Sequence, residues 1–240
     1  MTDQAIILAG GKGTRLRPYT TTFPKPLMPI GDLPIIEILL QQLAHAGFDR
    51  VIITTGHLAE MIRLFCGDGS RWGLHIEYSH ETEPLGTAGP IRLVADRLAD
   101  NFLVMNGDLL TTMSFRRAFE AHVASGAMAS VSLYRREVKV DFGVVEEESP
   151  GLLGRYIEKP TLKYDVSMGV NVLSRGVLRF MEPGQRLDMP DLMMRIKAAG
   201  ERVACYREEC FWLDIGRTED YQIATEEFMK RRDQFLPPHG

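Results

Sequence analysis

The feature that most constrains this chain is an apolar run that ends directly in a glycine-rich, basic turn. Gln4–Leu8 is followed by Gly10, Gly11 and Gly13, with Lys12, Arg15 and Arg17 interleaved. A strand buried on both faces reads as a continuous apolar run rather than an alternating one. Glycines at its end let backbone N–H groups approach an anion with no Cβ in the way. The same grammar recurs at Arg50–Thr54 and at Phe102–Met105, which runs into Asn106-Gly107-Asp108. Helical spacing separates these runs: Ile35, Ile36, Leu39, Leu40 and Leu43 before Gly47, then Leu58–Phe65, then Ala88–Leu98. Strands alternating with helices imply βαβ units and an α/β fold with a mostly parallel sheet flanked by helices.

Leu74–Ser79 and Ala129–Tyr134 add strands, and Ser114–Ser125 a helix capped by Ser114. After about residue 140 short strand-like pieces dominate, at Gly143–Glu147, Leu153–Glu158, Met168–Leu173 and Val203–Arg207. Helices follow the helical period at Asp191–Ala199 and Thr218–Arg232. The reading is a single domain over 1–234, with a mostly parallel half to about 135, a smaller mixed β portion over about 136–234, and a loosely ordered tail at 235–240.

Composition removes several classes. A net charge of −4 gives no global basic field for nucleic acid. No apolar run approaches the ~18 residues of a membrane span, and the first residues lack the pattern of a secretory leader, so the cytoplasm is the expected compartment. Cys66, Cys205 and Cys210 have no metal-ligand spacing and read as buried small hydrophobes.

The glycine turn fits neither common phosphate motif. A Walker A loop needs Ser or Thr after its lysine, where Gly13 stands, and the dinucleotide fingerprint needs glycine where Leu16 stands. Lys25 lies between Pro24 and Pro26, which restrict its backbone and pre-position its charge. Asp108 follows an apolar strand, at the sheet end where ligands of open α/β folds bind. A carboxylate there suits Mg²⁺, which takes one or two protein carboxylates and completes its shell with substrate phosphates.

Taken together, Gly10-Gly11-Lys12-Gly13-Thr14-Arg15-Leu16-Arg17-Pro18 and Pro24-Lys25-Pro26-Leu27 resemble the signature of the nucleotidyltransferase superfamily that makes nucleoside-diphosphate sugars. The resemblance continues through Glu83–Gly89, Asn106–Asp108, Glu158-Lys159-Pro160 and Trp212–Gly216, to about residue 226. It implies a Rossmann-like fold and a Mg²⁺-dependent transfer from an NTP to a sugar 1-phosphate, with release of pyrophosphate. Leu8, Ala9, Gly10, Gly11, Gly13, Thr14, Glu81, Gly86 and Thr87 would then bind the nucleotide, and Arg15 and Lys25 would be catalytic. Asp108 and Asp214 would hold the metal. Gly143, Glu158, Lys159, Gly169 and Asn171 would bind the sugar phosphate. Ser167 stands where many relatives carry the asparagine that contacts a sugar hydroxyl.

The Glu83–Gly89 block and the Trp212–Arg217 ending look most like enzymes that join GTP to a mannose or manno-heptose phosphate. UTP with an amino-sugar or muramic acid phosphate is the alternative, and CTP or dTTP enzymes are further off. A cytidylyltransferase for an alcohol phosphate and a catalytically inactive sensor of nucleotide sugars are the other readings. The sensor is disfavoured because Arg15, Lys25 and both carboxylates are present. No acyltransferase repeat follows Asp214, so a bifunctional enzyme is not expected, and the family is compatible with a homodimer.

Overall fold

The computed structural model describes residues 3–236. At its centre is a seven-stranded sheet. Its strands are β1 (Gln4–Ala9), β2 (Arg50–Thr55), β3 (His75–His80), β4 (Asn101–Asn106), β6 (Ala129–Lys139), β9 (Thr161–Ser174) and β10 (Val203–Arg207). Between them lie β5 (Leu109–Thr111) and the hairpin of β7 (Val144–Ser149) and β8 (Leu152–Ile157), with β11 (Trp212–Asp214) near the end. The spatial order is β10-β6-β9-β4-β1-β2-β3. Only β9 runs antiparallel to its neighbours, β4 and β6. The sheet is therefore mixed but mostly parallel, and its strands come from both sides of residue 135.

The major helices are α1 (Ile35–His45), α2 (Ala59–Cys66), α3 (Phe115–Ser125), α4 (Met189–Ala198) and α5 (Thr218–Lys230). Successive side chains of a strand point to opposite faces, and here each face has its own core. Ile7, Ile53 and Met105 pack with Ile36, Leu40, Phe115 and Phe228 on one side. Ile6, Ile52 and Val104 pack with Ile91, Leu192 and Ile196 on the other. That double burial explains why β1, β2 and β4 read as unbroken apolar runs.

Four expectations change. The helix expected over Ala88–Leu98 is broken into a helical turn at Gly89–Arg92 and a 3₁₀ turn at Ala95–Arg97. Buried Gln4 fastens the end of that segment: its side-chain amide donates to the Arg97 carbonyl and accepts from Ala99 N–H. Strands β6 and β9 run past the expected Tyr134 and begin before the expected Met168, as a long paired ribbon. Charged pairs such as Lys163–Glu137 at 2.8 Å lie along it, while Leu162, Tyr164 and Val166 alternate with Thr161, Lys163 and Asp165, a strand pattern beyond the expected bounds. Phe235 does not belong to a loose tail. It is fully buried against Phe211 and Phe228, while residues 237–240 lie outside the described part. Finally, Cys66 is buried, with its thiol pushed up to about 12 by desolvation, but Cys205 is exposed at the sheet's edge strand and Cys210 only half-buried. Among the described residues no helix is long and apolar enough to cross a membrane.

Candidate active site

The carboxyl ends of β1, β2 and β4 meet so closely that only glycine fits between them. Gly107 N–H donates to the Leu8 carbonyl at 2.9 Å. A Cβ on Gly107 would stand 3.0 Å from that same oxygen, and one on Gly56 would stand 2.8 Å from the Gly10 carbonyl. A Cβ on Gly10 would run into the Glu81 carboxylate. The chain then turns at Gly13, in the left-handed region at φ 58°, and the Thr20 hydroxyl donates to its carbonyl at 2.7 Å. These closures leave a cleft of about 380 Å³ above the strand ends. All nine candidate nucleotide residues line it, from Leu8 through Thr14 to Glu81, Gly86 and Thr87. Arg15, Lys25 and Asp108 line it too.

Lys25 opens a 3₁₀ turn after Pro24, whose extended backbone points the lysine inward. The lysine is buried, and its ammonium donates to Asp108 Oδ2. Asp108 Oδ1 is also buried and, among the described residues, has no hydrogen-bond partner. An orphaned carboxylate oxygen costs free energy unless a cation or donor meets it. Asp214 is brought near by a two-strand ladder: β11 pairs with β5, placing Asp214 opposite Leu109, and Ile215 N–H donates to the Asp108 carbonyl at 3.1 Å. Burial, and then the charge of Asp108, push the Asp214 carboxyl above the ordinary range, while Lys25 and Arg15 pull it back. Two carboxylates, one with a free buried oxygen, suit a Mg²⁺ that completes its shell from phosphates and water. Among the described residues no cluster of three or more acidic, His or Cys side chains could hold a metal by itself. Asp214 lies in an adjoining cleft, and Arg15 borders both.

The loop after β3 forms the opposite wall. Glu81 is half-buried, accepts from Leu85 N–H at 3.0 Å, and has its carboxyl raised by desolvation. Gly86 sits at φ 80°, where a Cβ would press on the Leu187 carbonyl at 2.6 Å. Thr87 N–H donates to Asp188 at 3.1 Å, and Met189 N–H donates to the Thr87 hydroxyl at 2.7 Å.

The sugar-phosphate candidates are not brought together with these groups. None of Gly143, Glu158, Lys159, Gly169 and Asn171 lines the cleft. Gly169, at φ 72°, abuts the side chain of Asn106, which does line it. Asn171 is buried in the middle of the sheet, with an unpartnered side-chain oxygen. Glu158 and Lys159 sit 3.9 Å apart on the exposed arm of β7 and β8, with Lys159 at φ 45°. Gly143 lies beside the Tyr156 ring on the same arm.

Pro26, Pro84, Asn106, Gly107 and Gly216 lie within the quoted motifs and also line the cleft, though no binding role was expected of them, and Pro90 in the lining and Asp188 behind the loop carried no expectation. Asp188 had no local signal, because its partner Thr87 is 101 residues away.

A parallel sheet with a glycine-lined cleft at its strand ends, walled by a lysine–carboxylate pair, defines an α/β protein of the phosphate-ligand-binding kind. Comparison with known sequences is more specific: the Nucleotidyl transferase family profile matches residues 4–231, and the chain belongs to that family. It is 32% identical over 95% of its length to the UTP–glucose-1-phosphate uridylyltransferase of Synechocystis. It is 34% identical over 91% to mannose-1-phosphate guanylyltransferase 1 of Arabidopsis thaliana. The chain spans 64% and 62% of those two relatives. A solved structure of a putative glucose-1-phosphate thymidylyltransferase from Bacillus anthracis superposes with a TM-score of 0.76 at 25% identity, covering 98% of this chain and 99% of that one.

Proposed function

We propose that the chain transfers a nucleotidyl group from an NTP to a sugar 1-phosphate, giving a nucleoside-diphosphate sugar and pyrophosphate. The observation that carries this is the meeting of the glycine loop, Arg15, Lys25 and Asp108 in one cleft of phosphate-ligand size. The acceptor's phosphate oxygen attacks the α-phosphorus, and the bond to the bridging oxygen of the β-phosphate breaks with its electron pair. The nucleophile is already an anion at neutral pH, so no general base is required. Catalysis is alignment and charge neutralisation. Loop N–H groups seat the triphosphate, while Arg15 and Lys25 stabilise the departing pyrophosphate. Mg²⁺ held by Asp108 and Asp214 would supply further neutralisation of the phosphate charge.

Residues to about 135 serve the nucleotide and residues 136–234 the acceptor, with Lys159 for its phosphate and Glu158, Gly143, Gly169 and Asn171 for its sugar. GTP with a manno-configured acceptor is the favoured pair. The Arabidopsis relative's name supports it, and so does Glu81, because guanine offers a carboxylate two adjacent N–H donors where uracil offers one. The Synechocystis relative's name supports UTP with glucose as the second reading.

The test is pyrophosphate release with Mg²⁺, crossing GTP, UTP, CTP, dTTP and ATP against mannose, manno-heptose, glucose and N-acetylglucosamine 1-phosphates. One strongly preferred pair is expected. Silence across the grid, from folded protein that binds a nucleotide sugar, would sink the transferase reading. Lys159→Ala separates the acceptor side, and should raise KM for the sugar phosphate but not for the NTP.

A further inference from the structure

Beside the main cleft, and sharing Arg15 with it, lies a second one of about 300 Å³. One wall is aromatic. The rings of Tyr134 and Trp212 lie 5.4 Å apart at 41°, and the Trp212 indole N–H is fixed to the Met168 carbonyl at 2.9 Å. Apart from Leu213, the remaining lining is charged: Arg15, Arg136 and Arg217 against Asp214 and Asp220. One Asp220 oxygen is already engaged by the N–H groups of Gly216 and Arg217, at 3.2 and 2.8 Å. Asp214 is claimed by the site beside Asp108.

The period of a strand sorts the arginines of β6. Tyr134 and Arg136 share one face, and Arg135 takes the other. Arg135 is neutralised there by Asp165 at 2.6 Å, which also pairs with Arg207 at 2.8 Å. Arg136 and Arg217, on the cleft side, have no carboxylate at ion-pair distance among the described residues. The proposed transfer uses Arg15 for pyrophosphate and Lys159 for the anomeric phosphate. Two guanidinium forks next to an aromatic wall are left without a task. A guanidinium is a planar donor fork that matches a carboxylate or phosphate bidentately, and aromatic faces suit the C–H face of a sugar ring.

We infer that this cleft selects acceptors bearing a second anionic group, a carboxylate or a phosphate, in addition to the anomeric phosphate. Arg136 and Arg217 receive that group, and the Tyr134–Trp212 wall faces the ring. The inference rests on the acceptor half of the proposed reaction.

The experiment compares acceptors matched in all but one substituent: glucose 1-phosphate, glucuronate 1-phosphate and glucose 1,6-bisphosphate, with the manno-configured set alongside. Pyrophosphate release and calorimetric binding are both read. For the wild type, kcat/KM and affinity should favour the charged members by about tenfold or more. In Arg136→Ala/Arg217→Ala that preference should collapse to near unity, while Arg135→Ala, altered on the opposite face, keeps it. Equal handling of neutral and charged acceptors by the wild type overturns the inference, as does a preference that survives the double substitution. If no acceptor is turned over, the transferase reading falls, and the binding ratio alone decides the cleft by the same criterion.

Discussion

The strand β1, which ends at the glycine-lined cleft, and the β7–β8 arm beside Glu158 and Lys159 are built on opposite plans. In β1 five of six residues are buried, and the strand is clamped between β2 and β4 with a core on each face. In β7 and β8 not one residue is fully buried. Phe142 at 78% and Tyr156 at 61% relative exposure stand on that arm. Where packing fixes a strand from both sides, the residues at its end have defined places, and the nucleotide candidates converge on one cleft. Where only ribbon hydrogen bonds and surface ion pairs hold the chain, the candidates lie apart. Exposed pairs such as Lys159–Glu158 contribute about 0–1 kcal/mol, too little to define a site.

Substitutions can break or sharpen this contrast. The largest effect is expected from Lys25→Ala or Asp108→Ala, each lowering turnover by about three orders of magnitude. Lys25→Ala also strands the half-buried Asp108 charge and lowers the thermal midpoint. Adding Asp108→Ala to it should recover much of the midpoint and none of the turnover, in unfolding scans run beside the pyrophosphate assay. Next, Phe235→Ala removes a fully buried ring under the rigid half and should cost about 3–5 kcal/mol by denaturant unfolding. A value near zero would return that residue to the loose tail. Gly13→Ala should cost about 1–2 kcal/mol, because its φ of 58° is unfavourable for alanine and the new methyl would meet Thr20 Cγ2 at 2.9 Å.

Glu81 gives a smaller, pH-dependent effect. Burial holds its carboxyl above the usual range, so its contribution to stability is fully present below about 4.3 and is lost as pH rises through the raised value. The stability of the wild type minus that of Glu81→Gln should therefore fall between acid and neutral pH. A flat difference would mean that the folded protein does not perturb this carboxyl. The smallest effect belongs to the arm, where Leu152→Ala should change stability by no more than about 0.5 kcal/mol.

Legibility in the sequence follows the same division. Gln4–Ala9, Arg50–Thr55 and Asn101–Asn106 were readable because burial on both faces leaves an apolar run, and the glycines at their ends mark where backbones nearly touch. Lys25 was readable because flanking prolines single it out. What escaped depended on distant partners. Gln4 fastens the chain more than 90 residues later through its side-chain amide. The outer part of β6 is written in charges that pair across the ribbon and look like ordinary surface in a one-dimensional pattern, whereas the alternation of Leu162, Tyr164 and Val166 in β9 is a strand signal beyond the expected bounds. Phe235 was hidden by the Leu-Pro-Pro-His-Gly that follows it.

The loop over Leu85–Gly89 has a kinetic consequence. Five hydrogen bonds fasten it to residues 187–189: Leu187 N–H to the Leu85 carbonyl, Ala88 and Gly89 N–H to the Leu187 carbonyl, Thr87 N–H to Asp188, and Met189 N–H to the Thr87 hydroxyl. A wall tied down at that many points does not swing. Its ordering entropy is met once, when the chain folds, and not again at each encounter with ligand. Traffic must then pass the opposite rim, where Lys12, Arg15 and Arg17 are exposed. A nucleotide entering there meets positive charge before it meets the wall proposed to read its base, so its capture rate should fall as salt is raised, while its residence time changes far less.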